Sequence, residues 1–168
     1  YADRGNGKKG IATGEEARAV ITEDLKAIRG PKSTQFAFLP AEAWQTFSMI
    51  TVGAYDKGSS EERKMFVTGS NKLNATAAAV MKKRIALIFQ AAAALNCDTI
   101  IAGAIGCGAF GNDPEQIAQL HKEVIEEMYP DLAETVVFAI PRHPTDRTHN
   151  ANYDAFNKVL FGKKIFDF

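Results

Sequence analysis

Hydrophobic and polar positions along the chain form short segments that predict a mixture of strands and helices. Four short apolar runs, each with β-branched or aromatic residues, are typical of buried strands and cover residues 35–39, 47–52, 99–102 and 135–140. A longer segment follows Asn74, a potential N-cap, and repeats apolar residues with a period of 3.6 to about Asn96. The alternation of strands and helices favours an α/β fold.

Three further helices follow from apolar spacing and end signals. Residues 17–28 carry an apolar stripe after a Thr13–Glu16 capping box, and Gly30 with the following proline would end that helix. Asp113 is placed to cap a second helix, with proline at its first position and Gln116 completing a capping box. Residues 153–161 predict a short third helix, whereas the polar residues 57–70 predict a mobile excursion.

Composition narrows the class of protein. The 168 residues contain 20 Lys and Arg and 20 Asp and Glu, so no net field attracts nucleic acid, and no apolar stretch is long enough for a membrane span. We therefore expect one domain over residues 1–168, without nucleic-acid or membrane partners. Cys97 and Cys107 flank a predicted strand, which disfavours a disulfide between them and predicts reduced thiols and a cytoplasmic location. No metal-ligand spacing is visible, so no metal or cofactor is expected.

The most informative stretch is the glycine-rich loop between the strand at residues 99–102 and the helix after Asp113. Its sequence is Gly103-Ala-Ile-Gly-Cys-Gly-Ala-Phe-Gly-Asn-Asp113, with four glycines within nine residues. Main-chain N–H groups of such a loop, together with a helix N-terminus, can bind a phosphate or diphosphate. The alternative is a tight turn without a ligand.

These residues resemble the second diphosphate-binding loop of poly(ADP-ribose) glycohydrolases, especially the compact microbial type, which belong to the macrodomain fold. The likeness runs over about eleven consecutive positions. It implies a three-layer α/β/α sandwich with a mostly parallel central sheet, and it extends over about residues 1–160. The family places strands and helices ahead of the part that this chain matches. The chain, which starts at Tyr1, is therefore expected to lack N-terminal elements.

A second motif near the start of the chain resembles the catalytic signature of the same family, a triple glycine followed after a short spacer by Gln-Glu-Glu. Gly5 and Gly7 would belong to the glycine run, and Glu15 and Glu16 would be the two carboxylates. The sequence departs from the signature at Asn6, which stands for a glycine, and at Gly14, which stands for the glutamine. From the residues alone, the two glutamates are equally well explained as carboxylates at the start of a helix, where they interact favourably with the helix dipole.

The resemblance implies an ADP-ribosyl hydrolase whose ligand or substrate is ADP-ribose or an ADP-ribosylated protein. Glu16 would act as general acid and then base, and Glu15 would hold the ribose hydroxyls. Secondary candidates for contacts with the ligand are Asp3, Tyr55 and Arg142, together with Asp56, His143 and Arg147. The implied ADP-ribose contacts are Gly5, Gly7, Gly103, Ile105, Gly106, Cys107, Gly108, Ala109, Phe110, Gly111 and Asn112.

Two other functions stay open at this point. The departures at Asn6 and Gly14 favour a reader that binds ADP-ribose without cleaving it. The run from Gly106 to Gly111 also satisfies G-x-G-x-x-G, the pattern of dinucleotide-binding enzymes, although no ribose-binding acid follows the next strand at residues 135–140.

Overall fold

The computed structural model of the chain describes residues 17–128, 134–142 and 150–161. Their regular elements are β1 (Ala19–Ala27), β2 (Gln45–Val52), α1 (Ser60–Phe66), α2 (Ala75–Ala94), β3 (Thr99–Ala102), α3 (Pro114–Glu123), β4 (Thr135–Phe138) and α4 (Ala151–Phe156). Two short 3₁₀ turns precede β2, and π-helical turns continue α3 over Val124–Met128 and α4 over Asn157–Phe161. The α/β class predicted from the sequence is confirmed.

The strands form two pairs of opposite kind. β1 and β2 are antiparallel, with Ile21 opposite Ile50, whereas β3 and β4 are parallel, with Ile100 opposite Val136. The parallel pairing expected for the sheet is thus present at β3 and β4, but β1 and β2 depart from it. Because β3 and β4 are parallel, the segments that follow them leave the same edge of the sheet.

The core lies between the strands and α2. Met81, Ile85 and Phe89 of α2 are almost fully buried, and they belong to one cluster with Ile100 of β3. The other face of β3 and β4 is different, since Ile101 is 74 % exposed and its partner Val137 is 43 % exposed. Among the described residues, helices therefore cover one face of these strands.

The helical segments whose end signals are local agree with the prediction. The side chain of Asn74 accepts a hydrogen bond from the N–H of Ala77 at 2.9 Å and caps α2. Asp113 caps α3 in the same way, accepting from the N–H of Gln116 at 2.8 Å, with Pro114 at the first helical position. These interactions depend on neighbouring residues only, and for that reason the sequence reveals them.

The predicted helix over residues 17–28 is wrong, because this segment is strand β1. Its pairing with β2 shifts by one residue between Thr22 and Leu25, where Asp24 adopts a φ of 57°. The apolar residues Ile21 and Ile28, whose spacing suggested one face of a helix, are 42 % and 38 % exposed and do not form a buried face. The consecutive β-branched residues Val20, Ile21 and Thr22 favour the strand.

Two other predictions are also wrong. Residues 35–39 do not form a strand, since Gln35 and Phe36 have φ of 53° and 56°, and only Phe38 makes an isolated bridge, to Arg29. Residues 57–70 include the helix α1 instead of an irregular excursion. The ring of Phe66 at the end of α1 lies 4.7 Å from the ring of Tyr55, and this contact packs the helix against the core.

Candidate functional site

The glycine-rich loop lies at the carboxyl end of β3, as predicted, and consists of successive tight turns. The N–H of Cys107 donates to the carbonyl of Ala104 at 3.1 Å, and the N–H of Gly111 donates to the carbonyl of Gly108 at 2.9 Å. The N–H of Asn112 closes the loop by donating to the carbonyl of Gly106 at 3.0 Å. Residues 108–111 are exposed. We refer to residues 103–112 as the phosphate loop.

The backbone requires glycine at two positions of the phosphate loop. Gly106 has a φ of +71°, and a Cβ atom there would lie 2.5 Å from Nδ2 of Asn112 and 2.7 Å from Cβ of Ala54. Gly111 has a φ of +63°. In contrast, Cβ atoms at Gly103 and Gly108 would meet nothing within 4 Å. The fold therefore explains Gly106 and Gly111, whereas Gly103 and Gly108 leave open space beside the backbone.

Several backbone donors of the phosphate loop have no acceptor among the described residues. The N–H groups of Gly108, Ala109 and Phe110 follow one another and have no acceptor within the part of the chain that the structure describes. The N–H of Gly106 is in the same situation. Successive unpaired N–H groups in a turn are a typical binding site for an anion.

The N-terminus of α3 contributes less to such a site than the sequence suggested. The carboxylate of Asp113 occupies it by accepting from the N–H of Gln116. The side chain of Gln116 does not complete the expected capping box, because its Oε1 accepts from the N–H of Leu73 at 2.8 Å and its Nε2 donates to the carbonyl of Leu73 at 2.9 Å. The exposed loop N–H groups are thus the main donors that an anion would find.

Asn112 and Tyr55 connect the phosphate loop to the segment after β2. Nδ2 of Asn112 donates to the carbonyl of Tyr55 at 2.7 Å and to the carbonyl of Gly106 at 3.0 Å. Both side chains are buried, at 2 % exposure for Asn112 and 4 % for Tyr55. The Tyr55 ring packs against Phe66 and lies under the guanidinium of Arg84. These side chains therefore hold the loop from inside and do not present a surface to a ligand.

Phe110 is the exposed aromatic residue of the phosphate loop. Its side chain is 42 % exposed, and its carbonyl accepts from the N–H of Lys57 at 3.0 Å. The backbone of Phe110 is therefore fixed while its ring remains accessible. An exposed ring beside free N–H donors can pack against a sugar or a base.

The thiol of Cys107 faces the interior of the loop. Burial, and next the nearby carboxylate of Asp113, raises the pKa of Cys107 to about 12, so the thiol stays protonated at neutral pH. Sγ lies 3.6 Å from the carbonyl of Ile105, which packs against the core. Cys107 and Cys97 are both free. A protonated, half-buried thiol is a packing residue, not a nucleophile.

Arg142 is on the edge of the sheet that carries the phosphate loop, because it follows β4. Its guanidinium carbon lies 5.4 Å from the centre of the Tyr153 ring. The carboxylate of Asp56, after β2, accepts from the N–H of Gly58 at 2.9 Å. The other predicted site residues lie outside the described residues: Asp3, Gly5, Gly7, Glu15, Glu16, His143 and Arg147. Their roles stay predictions.

The described residues also bear on a metal site and on a membrane span. No group of three or more His, Cys, Asp and Glu side chains in residues 17–128, 134–142 and 150–161 is arranged to hold a metal ion. Within the same ranges, no helix has the length and apolar character needed to cross a lipid bilayer.

Comparison with known proteins reveals similarity at the level of structure. No family model matches the chain, and no curated protein matches it. The structure is similar to poly(ADP-ribose) glycohydrolase from Deinococcus radiodurans in complex with ADP-ribose, with a TM-score of 0.67 and 23 % identity over 85 % of this chain and 52 % of that one. It is also similar to the apo form of that enzyme, with a TM-score of 0.66 and 24 % identity over 85 % and 53 %.

A second bacterial enzyme gives the same result. Poly(ADP-ribose) glycohydrolase from Thermomonospora curvata matches with a TM-score of 0.61 and 23 % identity over 82 % of this chain and 47 % of that one. The chain thus has the macrodomain-like fold of these glycohydrolases, which confirms the predicted fold and the resemblance at the level of fold. It spans about half the length of the solved structures it matches.

Proposed function

We propose that the phosphate loop binds the diphosphate of ADP-ribose and that the chain forms part of an ADP-ribosyl hydrolase. The observation that carries the proposal is the row of unused N–H groups at Gly108, Ala109 and Phe110. The phosphate loop lies in a fold shared with glycohydrolases whose solved structures contain ADP-ribose. A diphosphate supplies the acceptors that these donors lack.

The ribose and the reaction involve the other predicted residues. The ring of Phe110 would pack on the ribose next to the diphosphate, where its 42 % exposure leaves it accessible. Glu16 would protonate the leaving oxygen at the anomeric carbon and then remove a proton from the attacking water, while Glu15 would hold the ribose hydroxyls. Cleavage of a glycosidic bond passes through an oxocarbenium-like state, and this chemistry needs a carboxyl group at the leaving oxygen.

The binding step is tested by calorimetric titration of the full chain with ADP-ribose, NAD and AMP. We expect ADP-ribose to bind more tightly than either of the other two. AMP lacks the diphosphate that the loop donors would bind, and the strand at residues 135–140 is not followed by the ribose-binding acid of dinucleotide-binding enzymes. Tighter binding of NAD than of ADP-ribose would overturn the proposal and favour a dinucleotide-binding enzyme.

A second candidate function is a reader that binds ADP-ribose and does not cleave it. The sequence favours it at two positions, since Asn6 and Gly14 replace the glycine and the glutamine of the glycohydrolase signature. Incubation with ADP-ribosylated protein and with poly(ADP-ribose) separates the two functions. Release of ADP-ribose indicates the hydrolase, and binding without release indicates the reader. A location in the cytoplasm is part of the same proposal and is supported by the two free thiols.

A further inference from the structure

Lys57 is a buried cation that no local sequence pattern distinguishes from an exposed lysine. It follows β2, and its side chain is 4 % exposed. Its ammonium donates to the carbonyl of Asn71 at 2.6 Å, and no carboxylate of the described residues forms an ion pair with it. Burial lowers the pKa of Lys57, with Asp113 acting in the opposite direction. A buried ammonium that forms no ion pair is costly, so its burial needs an explanation.

Lys57 is bonded to the phosphate loop through its main chain, and its ammonium acts on residues of the loop electrostatically. The main-chain N–H of Lys57 donates to the carbonyl of Phe110 at 3.0 Å, which joins the two segments directly. Its charge also acts on the carboxylate of Asp113 and on the thiol of Cys107, at the end and in the middle of the loop. Lys57 is therefore within electrostatic reach of the unused N–H groups.

The loop itself contains no positive charge that could balance a diphosphate. Residues 103–113 have no Lys or Arg, and Asp113 adds a negative charge at their end. The chain as a whole has a net charge of zero, so its overall electrostatic field does not attract an anion to the loop. Two phosphate groups brought to this loop would meet neutral donors and one carboxylate, and a nearby ammonium would lower the electrostatic cost.

We propose that Lys57 is the counter-charge of the diphosphate, a residue whose buried ammonium stabilises ADP-ribose in the phosphate loop electrostatically. The inference rests on the proposed function, since it takes the loop as the diphosphate site. The competing explanation is structural: Lys57 would only fix the turn at Asn71 through its hydrogen bond.

Matched variants of the full chain separate the two explanations. Lys57→Met removes the charge and keeps most of the buried stem, whereas Lys57→Arg keeps the charge. We expect Lys57→Met to weaken ADP-ribose binding about tenfold to a hundredfold, the usual range for a lost charge-assisted contact. Lys57→Arg should bind within about threefold of the wild type. Adenosine, which has no phosphate, should bind both variants and the wild type equally when followed by NMR.

The outcomes are distinct. If a folded Lys57→Met binds ADP-ribose as tightly as the wild type, Lys57 is not the counter-charge, while the proposed function stands. If Lys57→Met weakens adenosine and ADP-ribose equally, the structural explanation is correct. If the wild type does not bind ADP-ribose, the proposed function fails, and the role of Lys57 fails with it.

A measurement on the wild type keeps the proposal testable should Lys57→Met not fold. The pKa of Lys57 is followed by NMR of protein labelled with ¹³Cε-lysine, with the resonance assigned from Lys57→Arg. The titratable groups that act on this ammonium are Asp113, Arg63 and Cys107, and the thiol of Cys107 is neutral below its pKa of about 12. We expect the pKa of Lys57 to rise when ADP-ribose saturates the protein, because an anion favours the protonated form. An unchanged pKa in the saturated protein would overturn the proposal.

Discussion

Nδ2 of Asn112 donates to the main-chain carbonyl of Tyr55 at 2.7 Å, and this bond joins the segment after β2 to the phosphate loop after β3. The two residues are 57 positions apart in the sequence. The same Nδ2 reaches the carbonyl of Gly106, where any side chain would collide with it. The shape of the loop is thus set by one buried amide and one glycine that must match it.

We expect Gly106→Ala to destabilise the fold by about 2 kcal/mol or more, because it combines a positive φ with overpacking against Asn112 and Ala54. Gly103→Ala is the matched control and should change the free energy of unfolding by less than about 0.5 kcal/mol. Denaturant unfolding measures both. Equal effects of the two variants would contradict the geometry described for Gly106.

The same pair of residues allows a double-mutant cycle. Asn112→Ala should cost about 1–3 kcal/mol by removing the hydrogen bonds to the carbonyls of Tyr55 and Gly106. In Gly106→Ala/Asn112→Ala the closest clash is gone, so the double variant should be more stable than the sum of the single effects predicts. Strict additivity would mean that the alanine at position 106 avoids Asn112 in some other way.

The sequence predicted those parts of the molecule that depend on near neighbours. The caps at Asn74 and Asp113 could be identified because each cap involves residues only three positions apart. Strand β3 and its loop could be identified from a short apolar run followed by glycines. Strand β1 could not, since it is formed by pairing with the distant strand β2, while its own apolar residues have the spacing of a helix.

The position of the glycine-rich loop could be predicted from the sequence, but the charges around it could not. The sequence places a helix N-terminus and a glycine loop together, but Asp113 caps that N-terminus itself and brings a negative charge. Whether a lysine is buried depends on how the chain folds over it, so nothing local distinguishes Lys57 from an exposed lysine. Likewise, Tyr55 was a candidate contact because it follows a strand, and only the packing on Phe66 reveals it as a core residue.

Glu16→Gln tests the proposed chemistry with almost no change in the size of the side chain. Gln has nearly the shape of Glu without its charge, so the fold and the affinity for ADP-ribose should persist. Release of ADP-ribose from a modified protein should fall by at least about a hundredfold, the usual contribution of a general acid. Wild-type turnover in this variant would show that Glu16 has no catalytic role.

The stability of the protein should depend on pH through His121. This side chain is fully buried, and its Nδ1 lies 3.0 Å from the carbonyl of Ile117. Burial lowers the pKa of His121 from 6.5 to about 4, and the hydrogen bond to Ile117 opposes this only partly. The unfolded chain therefore binds more protons than the folded one between pH 6.5 and about 4.

The free energy of unfolding should decrease as the pH falls through this window, by about 3 kcal/mol in total from His121. His121→Leu, which keeps a buried apolar side chain beside Phe138 and Phe156, should remove that part of the decrease. Denaturant unfolding of both proteins at pH 7, 5.5 and 4.5 gives the difference. If the two proteins lose the same stability, His121 is not the group that titrates.

Gly108→Glu tests whether the phosphate loop binds the diphosphate. The position is exposed, and a Cβ atom there meets nothing within 4 Å, so the fold should accept the side chain with only a small decrease in melting temperature. A carboxylate ~4 Å from a phosphate charge repels it by about 4 kcal/mol at an effective dielectric constant of 20, which corresponds to about three decades of affinity.

Gly108→Gln is the matched control, since it has nearly the same bulk without the charge. We expect Gly108→Glu to abolish ADP-ribose binding in calorimetry and Gly108→Gln to weaken it far less. Equal weakening would mean that the side chain blocks the site by its size, so that repulsion is not the cause. Wild-type affinity in Gly108→Glu would place the ligand elsewhere. A second charged variant should then be made at Gly103, which is also open, and not at Gly106, where the added side chain would disrupt the loop itself.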